Sequence, residues 1–289
     1  MPHDADKLKY TEAIKAMNEL TISKDDYEEP CCPFKMPDEI TRVPMGRIIE
    51  KLDSYLNKND YSSAERHLNY WLEEAEREKD LHGKLTILNE QIGLYRKVNK
   101  REECLKTISD TLELADSLGL ENTVIMGTTL INAATGYKAC SKTKESLELY
   151  RKARVIYESA LRPDDDRLGG LYNNMALALV ETSCFEEAEE LFKKAISVMS
   201  KQEHGEGEIA ITYCNLADLV SAKYGLEEGE KQIEEYLMTA EKLLDTQTLP
   251  HDGNHAFICE KCASVFGYYG FFMTERKLLE RSREIYERA

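Results

Sequence analysis

The chain has 289 residues with only 15 Gly and 7 Pro, too few turn-formers for a loop-rich sandwich or an unfolded chain, and its 42% apolar content supplies a sizeable core. Its 54 acidic against 38 basic side chains give a formal charge of −16, a field that repels nucleic-acid phosphates and anionic membrane surfaces. Neither is expected as a partner, and helix is the natural secondary structure.

Residues 1–44 differ from the rest. The start, MPHDADKLKY, has neither a basic-then-apolar leader nor a small-residue cleavage site. The longest apolar stretch, around Gly267 to Met273, is far short of the ~18 residues of a membrane span. The protein is therefore expected to be soluble and cytoplasmic. A helix is predicted over Ala5–Leu20, followed by an irregular connector, DDYEEPCCPFKMPDEI, with three prolines in eight residues. This segment is expected either to cap the helices that follow or to lie back across them. The eight cysteines are scattered, so reduced thiols are expected, mostly buried, and the adjacent Cys31 and Cys32 give no sign of a bridge.

From about residue 45 to 289 the chain repeats itself. Tyr172–Ala195, YNNMALALVETSCFEEAEELFKKA, aligns with Leu130–Ala153, LINAATGYKACSKTKESLELYRKA, 42 residues earlier. Each copy reads as a helical hairpin of helix A and helix B. The residue that opens helix B recurs as Ala64, Cys104, Ser146, Ala188, Gly229 and Glu275. Four residues on, Leu68, Ile108, Tyr150, Phe192, Ile233 and Leu279 are predicted core positions, and three further on Trp71, Thr111, Ala153, Ala195, Tyr236 and Ser282 complete one helix face. Twelve residues before each opening residue, Leu52, Ile92, Ala134, Ala176, Ala217 and Ala263 form the facing position of helix A. Small residues there let two helices approach closely.

This pattern resembles the tetratricopeptide repeat. The fourth copy carries the likeness best, with Tyr172, Met175, Ala176 and Leu179 in helix A and Ala188, Phe192 and Ala195 in helix B. The spacing of about 42 departs from the family's common 34 and looks more like the long repeats of kinesin light chains. The resemblance implies an all-α fold, a right-handed superhelical solenoid of about six antiparallel helix pairs, with A helices lining a concave groove that takes a peptide or a partner protein segment. Family members that clamp C-terminal carboxylates use a set of Lys, Asn and Arg on consecutive A helices. Ile49, Asp53, Asn89 and Gly93 stand at the expected places here, so binding of chaperone tails is not implied.

Asn132, Asn174 and Asn215 recur two positions before the small residue of helix A, with Asn173 beside them. A row of amides, each a donor and an acceptor, suits the backbone of an extended peptide; the same residues also suit hydrogen bonds between neighbouring repeats. Glu90 and Lys261 hold the equivalent places in the second and sixth copies. Arg96, Lys97 and Lys138 bring positive charge toward the groove, which would favour acidic groups on the partner unless neighbouring carboxylates neutralise it.

His251, His255, Cys259 and Cys262 are all zinc-ligand types, but a span of 11 residues along one helix, about 16 Å, is too long for one ion. Core packing is expected for both cysteines, and no metal or other cofactor is expected. No phosphate loop, G-x-S-x-G elbow or H-E-x-x-H helix is present, so the chain is read as non-enzymatic. Asp164–Asp166 are expected to form a turn and helix cap. The arginine-rich RKLLERSREIYERA at the end serves either as the terminal cap or as the docking helix of a homodimer. The leading expectation is an interaction scaffold. The alternative is a peptide-sensing regulatory module acting in trans on a transcription factor or phosphatase, since no helix-turn-helix segment precedes the repeats.

Overall fold

The computed structural model describes residues 42–246 and 249–288. The expected helix over Ala5–Leu20, the proline-rich connector and the Cys31–Cys32 pair lie outside the described residues, as does the choice between capping and groove occupancy.

The described residues form twelve α-helices in two compact units, divided between Leu120 and Glu121. The first unit contains α1 (Met45–Leu56), α2 (Tyr61–Arg77), α3 (Leu81–Lys97) and α4 (Arg101–Ser117). The second contains α5 (Val124–Ala139), α6 (Thr143–Ala160), α7 (Asp166–Glu181), α8 (Phe185–Met199), α9 (Glu206–Tyr224), α10 (Leu226–Leu244), α11 (Gly253–Tyr268) and α12 (Phe272–Arg288). Odd-numbered helices are the A members of consecutive pairs and even-numbered ones the B members. Within the second unit each A helix also touches the next A helix, so α5, α7, α9 and α11 form a continuous layer.

Helix ends are specified locally. Asp60, Asp80, Thr123, Asp165 and Asp252 are N-caps whose side chains accept backbone N–H bonds from Ser63, Gly83, Met126, Arg167 and His255. Asp165 thus supplies the cap expected within Asp164–Asp166. Each A helix ends at one residue of positive φ, in order Asn59, Asn99, Ser141, Ser183, Gly225 and Gly270. After five of these, the next backbone N–H reaches back to the carbonyl five residues before it, as in Lys100 to Tyr95, Lys142 to Tyr137 and Cys184 to Leu179, each 2.9 Å. These bonds satisfy carbonyls that the helix end would otherwise orphan, and the chain reverses within a few residues.

The predicted core face is present. Leu52, Ile92, Ala134, Ala176, Ala217 and Ala263 are all buried, as are Ala64, Cys104, Ser146, Ala188 and Gly229 opposite them. Close approach is literal: a Cβ on Gly229 would stand 2.8 Å from Val220 Cγ1, and one on Gly127 in α5 would stand 2.5 Å from Tyr157 Cε1 in α6.

Three predicted core positions shift. Trp71 is half-buried. In α10 the stripe runs Gly229, Ile233, Leu237, Ala240 and Leu244, leaving Tyr236 half-buried. In α12 it runs Thr274, Leu278, Ser282 and Ile285, so Leu279 is exposed and Glu275 is not the inward residue. The turn itself is unchanged, since Glu275 follows Gly270 by five positions as Ala188 follows Ser183, and donates its N–H to Phe271 as Ala188 does to Cys184. The difference is cover: α8 packs against both α7 and α9 whereas α12 packs against α11, which leaves Leu279 open among the described residues. Glu275 instead lies against Gly267, where its carboxylate occupies the space a Cβ would need.

Phe192 in α8 is among the largest fully buried side chains, so truncating it removes buried apolar surface and leaves a cavity. Phe192→Ala is expected to lower unfolding free energy by about 3–5 kcal/mol, read from urea denaturation followed by far-UV circular dichroism.

Candidate functional site

The A helices bury both flanks, so only a strip of each remains open, and that strip carries the predicted site residues. In the second unit Asn132 (α5), Asn173 and Asn174 (α7) and Asn215 (α9) are all half-buried. Asn173 and Asn215 come together: Asn215 Nδ2 donates to Asn173 Oδ1 at 2.9 Å, and Thr212 Oγ1 donates to the same oxygen at 3.3 Å. These contacts tie α7 to α9. The side chain of Asn174 makes no hydrogen bond among the described residues, so its donors and acceptor remain available.

The charged positions separate in the same way. Lys138 Nζ forms an ion pair with Glu181 Oε1 at 2.9 Å, and Thr143 donates to the other carboxylate oxygen at 2.8 Å, which largely neutralises this lysine. Lys261 on α11 is exposed, its ammonium 5.5 Å from the Phe257 ring centre. Burial raises the pKa of Glu208 on α9, with the Lys261 charge partly opposing the shift. In the first unit, Glu90 on α3 is half-buried; burial and then the neighbouring Asp53 push its carboxyl up. Arg96 and Lys97 are exposed at the end of α3, with Lys97 Nζ 5.5 Å from the Tyr61 ring centre.

The four residues of zinc-ligand type do not converge. His251 precedes α11, its ring 5.5 Å from that of His255, while Cys259 and Cys262 are 0% and 1% exposed on the packed face. No three His, Cys, Asp or Glu side chains among the described residues are placed to share a metal ion. No described helix is long and apolar enough to cross a membrane.

Two features escape the sequence reading. Asp218 on α9 is half-buried, accepts a 2.9 Å bond from Tyr269 Oη, and has its carboxyl raised by burial, an effect the tyrosine bond opposes. Its signal in sequence is position: it directly follows Ala217, where the neighbouring repeats place the uncharged Leu177 and Ser264. His255 is 3% exposed, and neither ring nitrogen has a hydrogen-bond partner among the described residues.

No protein-family model matches the sequence, and no curated protein matches it. Solved structures do match in fold. The kinesin-light-chain-like, nearly identical TPR-like repeats of Podosopora anserina share 16% identity over 70% of this chain and 94% of theirs, with a TM-score of 0.51. The fold is TPR-like. NprR in complex with its cognate peptide NprX aligns over 94% of this chain and 73% of its own, at 15% identity and a TM-score of 0.59. The apo form of the quorum sensor NprR from B. thuringiensis aligns over 96% and 72%, at 14% identity and 0.54.

His255 gives this end of the TPR-like array a pH dependence. Burial first, then the charges of Arg281 and His251, lower its pKa below the usual 6.5, with Asp252 opposing. Above about pH 6.5 the ring is neutral whether folded or not, and its contribution to stability is intact; as pH falls, the unfolded chain takes up a proton that the folded one resists. The thermal midpoint should therefore drop between about pH 7 and 5, and His255→Leu should flatten that drop while adding about 1 kcal/mol at neutral pH. Differential scanning calorimetry of both proteins across this range checks it.

Proposed function

We propose that this protein is a non-enzymatic interaction module that holds an extended peptide or partner-protein segment along the open strip of its A helices. The observation that carries the reading is the half-buried amide row of α5, α7 and α9, in which Asn173 and Asn215 fix one another and Asn174 keeps its hydrogen-bonding groups free. An amide held in place by packing can pair with a peptide backbone whatever that peptide's side chains. Taken each in its own unit, the exposed Arg96 of the first and the exposed Lys261 of the second favour acidic groups on whatever that unit holds; Lys138 contributes less because Glu181 already faces it.

A second reading is a peptide-sensing regulatory module that controls a transcription factor or phosphatase in trans. The likeness to NprR, solved with its cognate peptide, supports it. Compaction on peptide binding, read by small-angle scattering, fits a sensor; an unchanged scattering curve fits a static scaffold. A homodimer, if formed, would use the exposed Leu279 and Tyr286 of α12.

Selection from a displayed random-peptide library supplies a ligand for the test. The double substitution Asn132→Ala, Asn174→Ala should weaken the selected peptide by about 1–3 kcal/mol in calorimetric titration while leaving helicity intact. Unchanged affinity in a folded variant removes the amide mechanism.

A further inference from the structure

A recess opens between α9 and α11 of the second unit. It has a volume of about 390 Å³, bounded by Asp218, Ser221 and Ala222 on one side and by Ser264, Tyr268 and Tyr269 on the other. Ser221, Ala222 and Ser264 are short, which keeps the space open. Asp218 contributes a half-buried carboxylate that forms no ion pair among the described residues; its one side-chain hydrogen bond comes from Tyr269 Oη to Oδ1 at 2.9 Å. Lys223, further along α9, is occupied elsewhere, with Nζ 2.8 Å from Glu186 Oε1 and 5.2 Å from the Tyr224 ring centre.

The aromatic wall is equally suggestive. The rings of Tyr268 and Tyr269 meet edge to face, with centroids 4.9 Å apart at 86°, and Tyr268 is 70% exposed. The Tyr268 ring is thus open to solvent where it lines the same recess as the carboxylate. A desolvated carboxylate without a counter-charge is costly, and a planar cation resolves both features at once, pairing with the oxygen atoms while lying on the ring. Guanidinium suits this better than ammonium, because its flat fork can do both in one orientation. The chain's net charge of −16 also attracts a cationic group and disfavours an acidic one at this point.

We propose that the α9–α11 recess is a side-chain subsite for arginine, in which the guanidinium donates to Asp218 and stacks on Tyr268. The proposal rests on the peptide-binding reading above and adds the class of side chain recognised. Because burial raises the Asp218 carboxyl above the ordinary aspartate range, the subsite loses its charge at milder acidity than an exposed aspartate would.

The test uses the full-length chain, isotope-labelled for NMR, and three capped probes, Ac-Ala-Arg-Ala-NH2 and its citrulline and glutamate analogues. The arginine probe should give saturable shifts on α9 and α11 at millimolar concentration. Citrulline, which keeps the shape and loses the charge, should bind roughly tenfold more weakly, and Asp218→Asn should abolish the preference while leaving the circular dichroism unchanged. Tyr268→Leu should weaken the arginine probe without restoring glutamate binding. Equal binding of the arginine and citrulline probes, an undiminished preference in Asp218→Asn, or no localised shifts at millimolar probe overturns the subsite. Library-selected peptides separate this failure from a broader one. If they bind along α7 and α9 without any effect of Asp218→Asn, the subsite falls and peptide binding stands; if none binds, peptide binding falls as well.

Discussion

Everything else in this protein depends on the close approach of helix A to helix B within each pair. A single helix pair has two apolar faces and only one partner surface, so its stability must come from stacking against neighbouring pairs. Stacking at short range requires small residues where the axes are nearest. Ala134, Ala176 and Ala217 of the A helices and Ser146, Ala188 and Gly229 of the B helices are all buried, and Gly229 leaves no room for a Cβ against Val220. The larger residues sit one turn further on, where Tyr150 and Phe192 are fully buried and the Tyr150 hydroxyl lies 2.9 Å from Thr135 Oγ1 on α5. A bulky side chain at the near point would separate the helices and uncover those rings.

That packing also decides where function can lie. In the second unit the A helices are held between their own B helices and adjacent A helices, as the buried residues along both flanks of α7 and α9 show. What remains is a narrow strip, on which Asn132, Lys138, Asn173, Asn174, Asn215 and Asp218 are half-buried while Lys261 is exposed. Partial burial strengthens electrostatic interactions and makes an unpaired charge expensive. Lys138 meets this constraint through Glu181, Asn173 through Asn215 and Thr212, and His255 by remaining neutral. Asp218 meets it only in part, through a tyrosine hydroxyl, so the strip is not electrostatically uniform.

Much of the fold could be read from the chain because its signals are local and recur in phase. The small residue of helix A and the opening residue of helix B twelve positions later are visible without a structure, and they fail only in the sixth copy. There the turn is the same but the cover is not: α12 packs against α11 whereas α8 packs against both α7 and α9, so Thr274 and Leu278 are buried while Leu279 is exposed. Periodicity alone could not detect this, because Glu275 and Leu279 keep helical spacing too. The candidate site was less legible. Asn173 and Asn215 lie 42 residues apart, and their hydrogen bond depends on the rotation of α7 against α9. The recess at Asp218 likewise requires two helices and the tyrosines at the end of α11 to meet.

The sequence by itself determined the helix pairs, their small-residue contacts, their capping aspartates and the residue types placed on the A-helix strip, since each follows from chemistry within one or two helical turns. Only the tertiary structure decided which of those residues neutralise one another and which keep an unmet charge or amide. Pairing between side chains on different helices depends on distances of a few ångströms, and these are fixed by how neighbouring helices rotate and stack rather than by spacing along the chain.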